Sequence, residues 1–216
     1  MASWNLKELR DKAGQFLTEI ERRELSDFLD SFDWKSKATV CHLHQADKCF
    51  KSYLEAEDIN ITHHLLSRNE DFELAKKIRE ISLVSSVMMV NTLPEVLAQV
   101  INIVFLSKKF KINDVTPNRV LANLVDGEFR ENYQALLSSD DYAYIKSFTN
   151  IIKHINLVKS DYHISFVQEM HGVRFKAFEY RGRKFSEILD SDLIDTVKNF
   201  RSMCLQLGIV INGKVR

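Results

Sequence analysis

The sequence predicts a mainly α-helical fold: an up-down bundle carrying a C-terminal β-hairpin and a closing helix. Three observations point there. Only two prolines and six glycines punctuate 216 residues, so helices meet few breakers. Apolar residues recur at helical spacing through most of the chain. From Tyr162 the period changes to two, over two short runs separated by Met170-His171-Gly172. The length fits one domain, read as an N-terminal helical pair (1–69), a core bundle (70–160) and a hairpin with a final helix (161–216). An apolar fraction of 45% with fourteen phenylalanines supplies bulky core residues.

In chain order, Ser3 caps a first helix whose apolar stripe is Leu6, Leu9, Ala13, Phe16, Leu17 and Ile20, continued by Leu25, Phe28 and Leu29. The Asp30–Asp33 region is expected to break it. A second helix follows from about Lys35 to Ala56, marked by Ala38, Cys41, Ala46, Cys49, Phe50, Tyr53 and Leu54. Glu57 to Asn69 reads as a loop. Glu70 or Asp71 then opens a helix carrying Leu74, Ile78, Ile81, Leu83, Val84, Val87 and Met88. Pro94 should kink or restart it, with Thr92 as cap. Its second piece holds Val96, Leu97, Val100, Ile101, Val104 and Phe105, and this apolar pair is assigned to the core. Thr116-Pro117 is a helix start, followed by Val120, Leu121, Leu124, Val125, Phe129, Tyr133, Leu136 and Leu137.

The next helix, Asp140 to Lys159, organises the rest. Asp140 or Ser139 caps it. Ile145, Phe148, Ile151, Ile152, Ile155 and Val158 share one side at about 100° per residue. The other side carries Lys146, Asn150, Lys153 and His154. Asn150, Lys153 and His154 stand at i, i+3 and i+4, where side chains can touch. An amide, an ammonium and an imidazole suit a phosphate or an RNA backbone, and histidine exchanges protons near neutral pH. The competing reading is a solvated face. Leu157 falls within the polar arc, which implies cover from another part of the chain or from a second copy.

A hairpin follows, with Tyr162, Ile164 and Phe166 alternating against His163, Ser165 and Val167, then Val173, Phe175 and Ala177 against Arg174, Lys176 and Phe178. Gly172 is available for a positive-φ turn position. Arg174, Lys176, Arg181, Arg183 and Lys184 place five cations on this appendage, the second nucleic-acid or phosphate candidate. Ser191 caps a last helix with the stripe Leu193, Ile194, Val197, Phe200, Met203 and Leu207. Gly208 should end it, leaving a short tail.

The segment Phe148-Thr-Asn-Ile-Ile-Lys-His154, followed by the Tyr162-x-Ile164-x-Phe166 strand, resembles prokaryotic proteins with a HEPN-type helical domain. The branch meant has an Asn-x-x-Lys-His helix before a β-hairpin. The Leu93-Pro-Glu-Val-Leu-Ala-Gln-Val-Ile-Asn102 helix is similar to another landmark of that family. The resemblance covers roughly residues 75–210 and implies a HEPN-like bundle that pairs its central helices in a homodimer. Ribonuclease members use an Arg, an adjacent polar residue and a His on one helix. His154 matches the His and Asn150 the polar position. No arginine lies between Glu131 and Met170, and Lys146 is the only upstream cation on that face. Many HEPN-like proteins without the full motif bind or scaffold instead.

Composition narrows the classes further. Thirty basic and thirty acidic residues cancel, which is not the footprint of a general nucleic-acid binder. Three cysteines without a CxxC read as reduced thiols of a cytosolic protein. Cys41, His42, His44, Cys49, His63 and His64 match no zinc spacing, because neighbours on a helix point about 100° apart, so no metal site or cofactor is assigned. Lys108, Lys109 and Lys111 form a short basic run, read as a solvated helix end. The first ten residues are amphipathic and charged, unlike a signal peptide. Ile81–Leu106 is interrupted by polar residues, so no membrane span is expected. Three functions remain open. The first is a non-catalytic RNA- or nucleotide-binding or assembly module. The second is a metal-independent ribonuclease using His154, Asn150, Lys153 and Lys146. The third is a purely structural or regulatory interaction module.

Overall fold

The structure is a computed structural model that describes residues 3–57, 70–165 and 170–215, without the side chains at 50, 52–57, 165 and 170. Its helices are α1 (Leu6–Ala13), α2 (Glu19–Glu57), α3 (Glu70–Val90), α4 (Leu93–Val104), α5 (Pro117–Leu121), α6 (Glu128–Ser138), α7 (Asp140–His154) and α8 (Asp190–Lys214). The strands are β1 (Ser160–Ser165), β2 (Met170–Phe175), β3 (Phe178–Tyr180), β4 (Arg183–Phe185) and β5 (Ile188–Leu189). The mainly helical expectation, with a small antiparallel sheet and a closing C-terminal helix, holds. The expected loop over residues 57–69, His63, His64, Phe166 and Val167 fall outside the described residues, Glu57 apart.

Several boundaries differ from the sequence expectation, each for a local reason. The first break falls at residues 14–18, not at Asp30–Asp33. Asn5, not Ser3, caps α1 by accepting from the Glu8 amide. Thr18 and Glu21 then form a capping box: the Glu21 carboxylate accepts from the Thr18 N–H at 2.9 Å, and the Thr18 hydroxyl accepts from the Glu21 N–H at 3.3 Å. Once started, α2 runs 39 residues without interruption. Its buried side chains include Leu25, Leu29, Phe32, Ser36, Thr39, Leu43 and Ala46, a 4-3 spacing that keeps one seam inward. That register leaves Cys41 exposed, although its apolar character suggested burial.

Pro94 separates α3 from α4 as expected, but Thr92 turns its hydroxyl back to the Met89 carbonyl instead of capping α4. By length and composition Glu70–Val104 is apolar enough to cross a membrane, and 67% of its most apolar window is buried inside the protein, as a core helix would be. The expected long helix after Thr116 splits: Thr116 caps α5 through the Arg119 amide, and Gly127 at φ 142° starts α6. Helix α7 stops at His154, where the amides of Ile155 and Asn156 both donate to the Ile151 carbonyl.

The chain divides into two compact units. The first comprises Met1–Lys37, Met89–Ala143 and Lys198–Arg216. Its core includes Leu9, Leu29, Phe32, Leu97, Tyr133 and Phe200. Tyr142 stacks on Phe200 at 5.2 Å between centroids. Trp4 meets Phe32 edge to face and donates its indole N–H to Asn212 Oδ1 at 2.8 Å. Gly208 does not end α8. It lies inside the helix because a Cβ there would run into the Trp4 ring, so its role is close packing.

The second unit comprises Ala38–Met88 and Tyr144–Val197. Strands β1, β2 and β5 form an antiparallel sheet in the order β1-β2-β5, with Tyr162 opposite Val173. Met170-His171-Gly172 is therefore strand and not the hairpin turn. Gly172 is required by close approach, since a Cβ there would collide with the buried carboxylate of Asp190. That carboxylate accepts from Arg79 Nε at 2.7 Å and from the Val173 amide at 2.8 Å. Strands β3 and β4 form a second hairpin closed by Arg181 and Gly182, both at positive φ, the pattern of a type I′ turn.

Candidate functional site

Helix α7 positions the first set of candidates. Phe148 is fully buried and Tyr144 half-buried, and their rings pack on Phe178 at 6.0 and 5.4 Å. Phe148 also meets Phe175, and Tyr144 also meets Phe185. This aromatic layer fixes the roll of the helix. On the remaining face Lys146, Lys153 and His154 are exposed and Asn150 is half-buried. Among the described residues, Asn150, Lys153 and His154 make no side-chain hydrogen bond or ion pair. His154 is the last residue of α7, where a cation complements the dipole. Leu157 lies beyond the helix and so outside the polar arc. It is 67% exposed, and Ile155 64%.

The five hairpin cations fall into two groups. Arg174 and Lys176 belong to the three-stranded sheet and are neutralised there. Arg174 grips Asp161 with two bonds of 3.0 Å and reaches Glu187 at 3.2 Å. Lys176 meets the same Asp161 at 2.5 Å. The bonds from Arg174 first, then Lys176, hold the Asp161 carboxyl at a pKa of about 2.

Arg181, Arg183 and Lys184 occupy the tip and second strand of the β3–β4 hairpin, all exposed. The Arg181 guanidinium stands 5.4 Å from the Tyr180 ring, and that of Arg183 5.2 Å from Phe185. Such stacking orders a guanidinium against the ring face. Cross-strand, Glu179 faces Lys184. The rings beneath them, Phe178 and Phe185, are stacked 4.9 Å apart and anchor the hairpin on Tyr144.

Sequence reasoning missed this second hairpin and the counter-ions Asp161 and Glu187. A signal for the hairpin was present: Phe178-x-Tyr180 and Arg183-x-Phe185 alternate symmetrically about Arg181-Gly182. The basic run at Lys108–Lys111, in the first unit, is engaged: Lys108 pairs with Glu24 at 2.6 Å and Lys109 donates to Asn123 Oδ1 at 2.6 Å. Among the described residues no three His, Cys, Asp or Glu side chains cluster as metal ligands would. Comparison with protein-family models, with curated proteins and with solved structures finds no match for this chain.

Proposed function

We propose that this chain is a HEPN-like helical module that binds RNA through the β3–β4 tip and does not cleave it. The observation that carries the reading is the tip itself: Arg181 in a two-residue turn and Arg183 and Lys184 on the strand after it are exposed, with both arginines laid against aromatic rings. An RNA backbone is met there by guanidinium groups that lose little freedom on binding. A non-catalytic role is supported at α7. No arginine accompanies Asn150 and His154, and among the described residues no hydrogen bond orients the His154 ring, whereas an acid–base histidine needs an orienting partner. A homodimer belongs to this reading, supported by the exposure of Ile155 and Leu157.

The test is anisotropy of a labelled single-stranded RNA across a salt series. Replacing Arg181, Arg183 and Lys184 together by Ala should lower the slope of log K on log salt by about 2, at roughly 0.7 per lost phosphate contact. Arg174→Ala should leave the slope unchanged, because that charge is already spent on Asp161 and Glu187. Undetectable binding at low salt, or a triple variant that binds like the parent, would refute the proposal.

A metal-independent ribonuclease is the second reading, favoured by the unengaged Asn150, Lys153 and His154 at one helix end. It requires RNA cleavage that survives chelator and is lost in His154→Ala. The binding reading expects no cleavage by either protein.

A further inference from the structure

In the first unit, Arg201 of α8 lines a cleft of about 190 Å³ beside Phe32, Asp33, Ser36 and Lys37 of α2 and Trp4 before α1. Its Nε–H is shared between the Ser36 carbonyl at 3.1 Å and the Ser36 hydroxyl at 2.9 Å. Ser36 is buried, so these bonds fix where the guanidinium stands. Nη1 and Nη2 have no hydrogen-bond or ion-pair partner among the described residues. Neither belongs to the buried polar atoms that lack a partner, so both are open to solvent. Burial lowers the pKa of Arg201, against smaller opposing effects of Cys204 and then Asp33. Burial also pushes the Cys204 thiol up, so it carries no charge at neutral pH. The Asp33 carboxylate is taken by Lys37 at 2.6 Å. Arg201 therefore holds its charge in a half-buried position with no carboxylate bonded to it among the described residues, an arrangement that an incoming anion would stabilise.

We infer that this cleft binds a small organic carboxylate with an apolar body, its two oxygens on Nη1 and Nη2 of Arg201. A carboxylate matches the parallel N–H groups at the end of a guanidinium. With Nε held by Ser36, that end is the part of the fork left for a ligand. Trp4, Phe32 and Leu205 supply buried apolar wall. The Trp4 ring is fixed there by its N–H bond to Asn212 at 2.8 Å. The volume suits a single ring or a short chain and is too small for a large cofactor. Charge then selects among anions. Arg201 and Lys37 set two positive charges against the one negative charge of Asp33. That balance favours a monoanion and disfavours a phosphate dianion beside Asp33. The inference does not depend on RNA binding, whose proposed tip belongs to the second unit.

Benzoate is the probe, titrated into the full chain and followed by calorimetry and by Trp4 emission in a Trp34→Phe background. Binding should saturate with a Kd on the order of 1 mM, the strength of one bidentate pair and a few apolar atoms. Arg201→Lys keeps the charge but loses the fork and should weaken benzoate about tenfold. Arg201→Gln removes both and should abolish binding. Asp33→Asn takes the acid out of the cleft and should tighten binding about threefold, a gain that a merely structural Arg201 would not give. Inorganic phosphate should bind about tenfold more weakly than benzoate. Circular dichroism checks that each variant is folded, and Arg201→Lys with Asp33→Asn decides the matter if Arg201→Gln is not. No saturation below about 20 mM benzoate, equal affinity in Arg201→Lys, no gain in Asp33→Asn, or phosphate binding as tightly as benzoate overturns the inference.

Discussion

Gly172→Ala tests the most constrained point of the second unit. A methyl at this position would lie 2.7 Å from Asp190 Oδ2 and closer still to Oδ1. The far end of an aspartate would ordinarily swing away. Here it is held: Asp190 is 3% exposed, and its carboxylate takes hydrogen bonds from Arg79 Nε and from the Val173 amide. Arg79 is itself anchored by the Ala46 carbonyl and by Asp47, and its side chain is 12% exposed. Displacing the carboxylate loses at least one charge-assisted bond, at about 1.5–3 kcal/mol each, and strands part of a buried ion pair. Removing a glycine returns about 0.4–1 kcal/mol of unfolded-state entropy. The net cost should be about 2–3 kcal/mol, read by urea unfolding followed by circular dichroism. In an Asp190→Ala background the methyl has room and its cost should fall close to zero, so the two substitutions should couple by about 2 kcal/mol. Additive effects, or a Gly172→Ala protein within about 0.5 kcal/mol of the parent, would refute the close-packing account of this glycine.

Two further outcomes follow from the packing. Asp161 has a folded pKa of about 2, below the unfolded value of about 3.9. Its contribution is therefore present above the unfolded value and is lost as pH falls through about 2. Its side chain is 40% exposed, so screening reduces the contribution to about 1 kcal/mol. Asp161→Asn should cost that much near neutral pH and nothing in acid, by urea unfolding at each pH. An equal cost at both would remove the ion pair as the cause. Gly208→Ala should push the Trp4 ring off α8, since a Cβ would stand 2.6 Å from Cε3 and closer to Cδ2. Overpacking of this kind costs about 1–3 kcal/mol. Trp4 is 7% exposed and Trp34 64%, so the blue component of the tryptophan emission should move red. Emission unchanged from the parent would show that α8 accommodates the methyl.

The helical character and most helix positions were legible because they follow from local spacing. The buried stripe of α7 at Ile145, Phe148 and Ile151 is an example. Helix ends were less legible where competing signals overlapped. Asp30 and Asp33 look like breakers, yet Asp33 pairs with Lys37 four residues on and Asp30 with Arg10, so their charges are accommodated outside the helix. The glycines at 172 and 208 misled for a different reason. Each is present because a distant residue, Asp190 or Trp4, occupies the space of its Cβ. Spacing along the chain carries no record of that neighbour.

The same limit governs the reading of charge. Arg174, Lys176, Arg181, Arg183 and Lys184 form one basic cluster in sequence. In the fold, Asp161 and Glu187, thirteen residues from Arg174 on either side, divide it. They reach Arg174 because β1 pairs antiparallel with β2 and β5 borders β2. A strand pairing brings acids to the sheet cations, while in the β3–β4 hairpin the register sets Glu179 opposite Lys184. Phosphate binding depends on charge that is not already neutralised within the protein. By that criterion the proposed binding role falls to Arg181, while Arg174, seven positions away, is tied into the sheet by Asp161 and Glu187. Substituting each alone in the same RNA assay separates the two roles: Arg181→Ala should flatten the salt dependence while Arg174→Ala lowers stability and leaves that dependence in place.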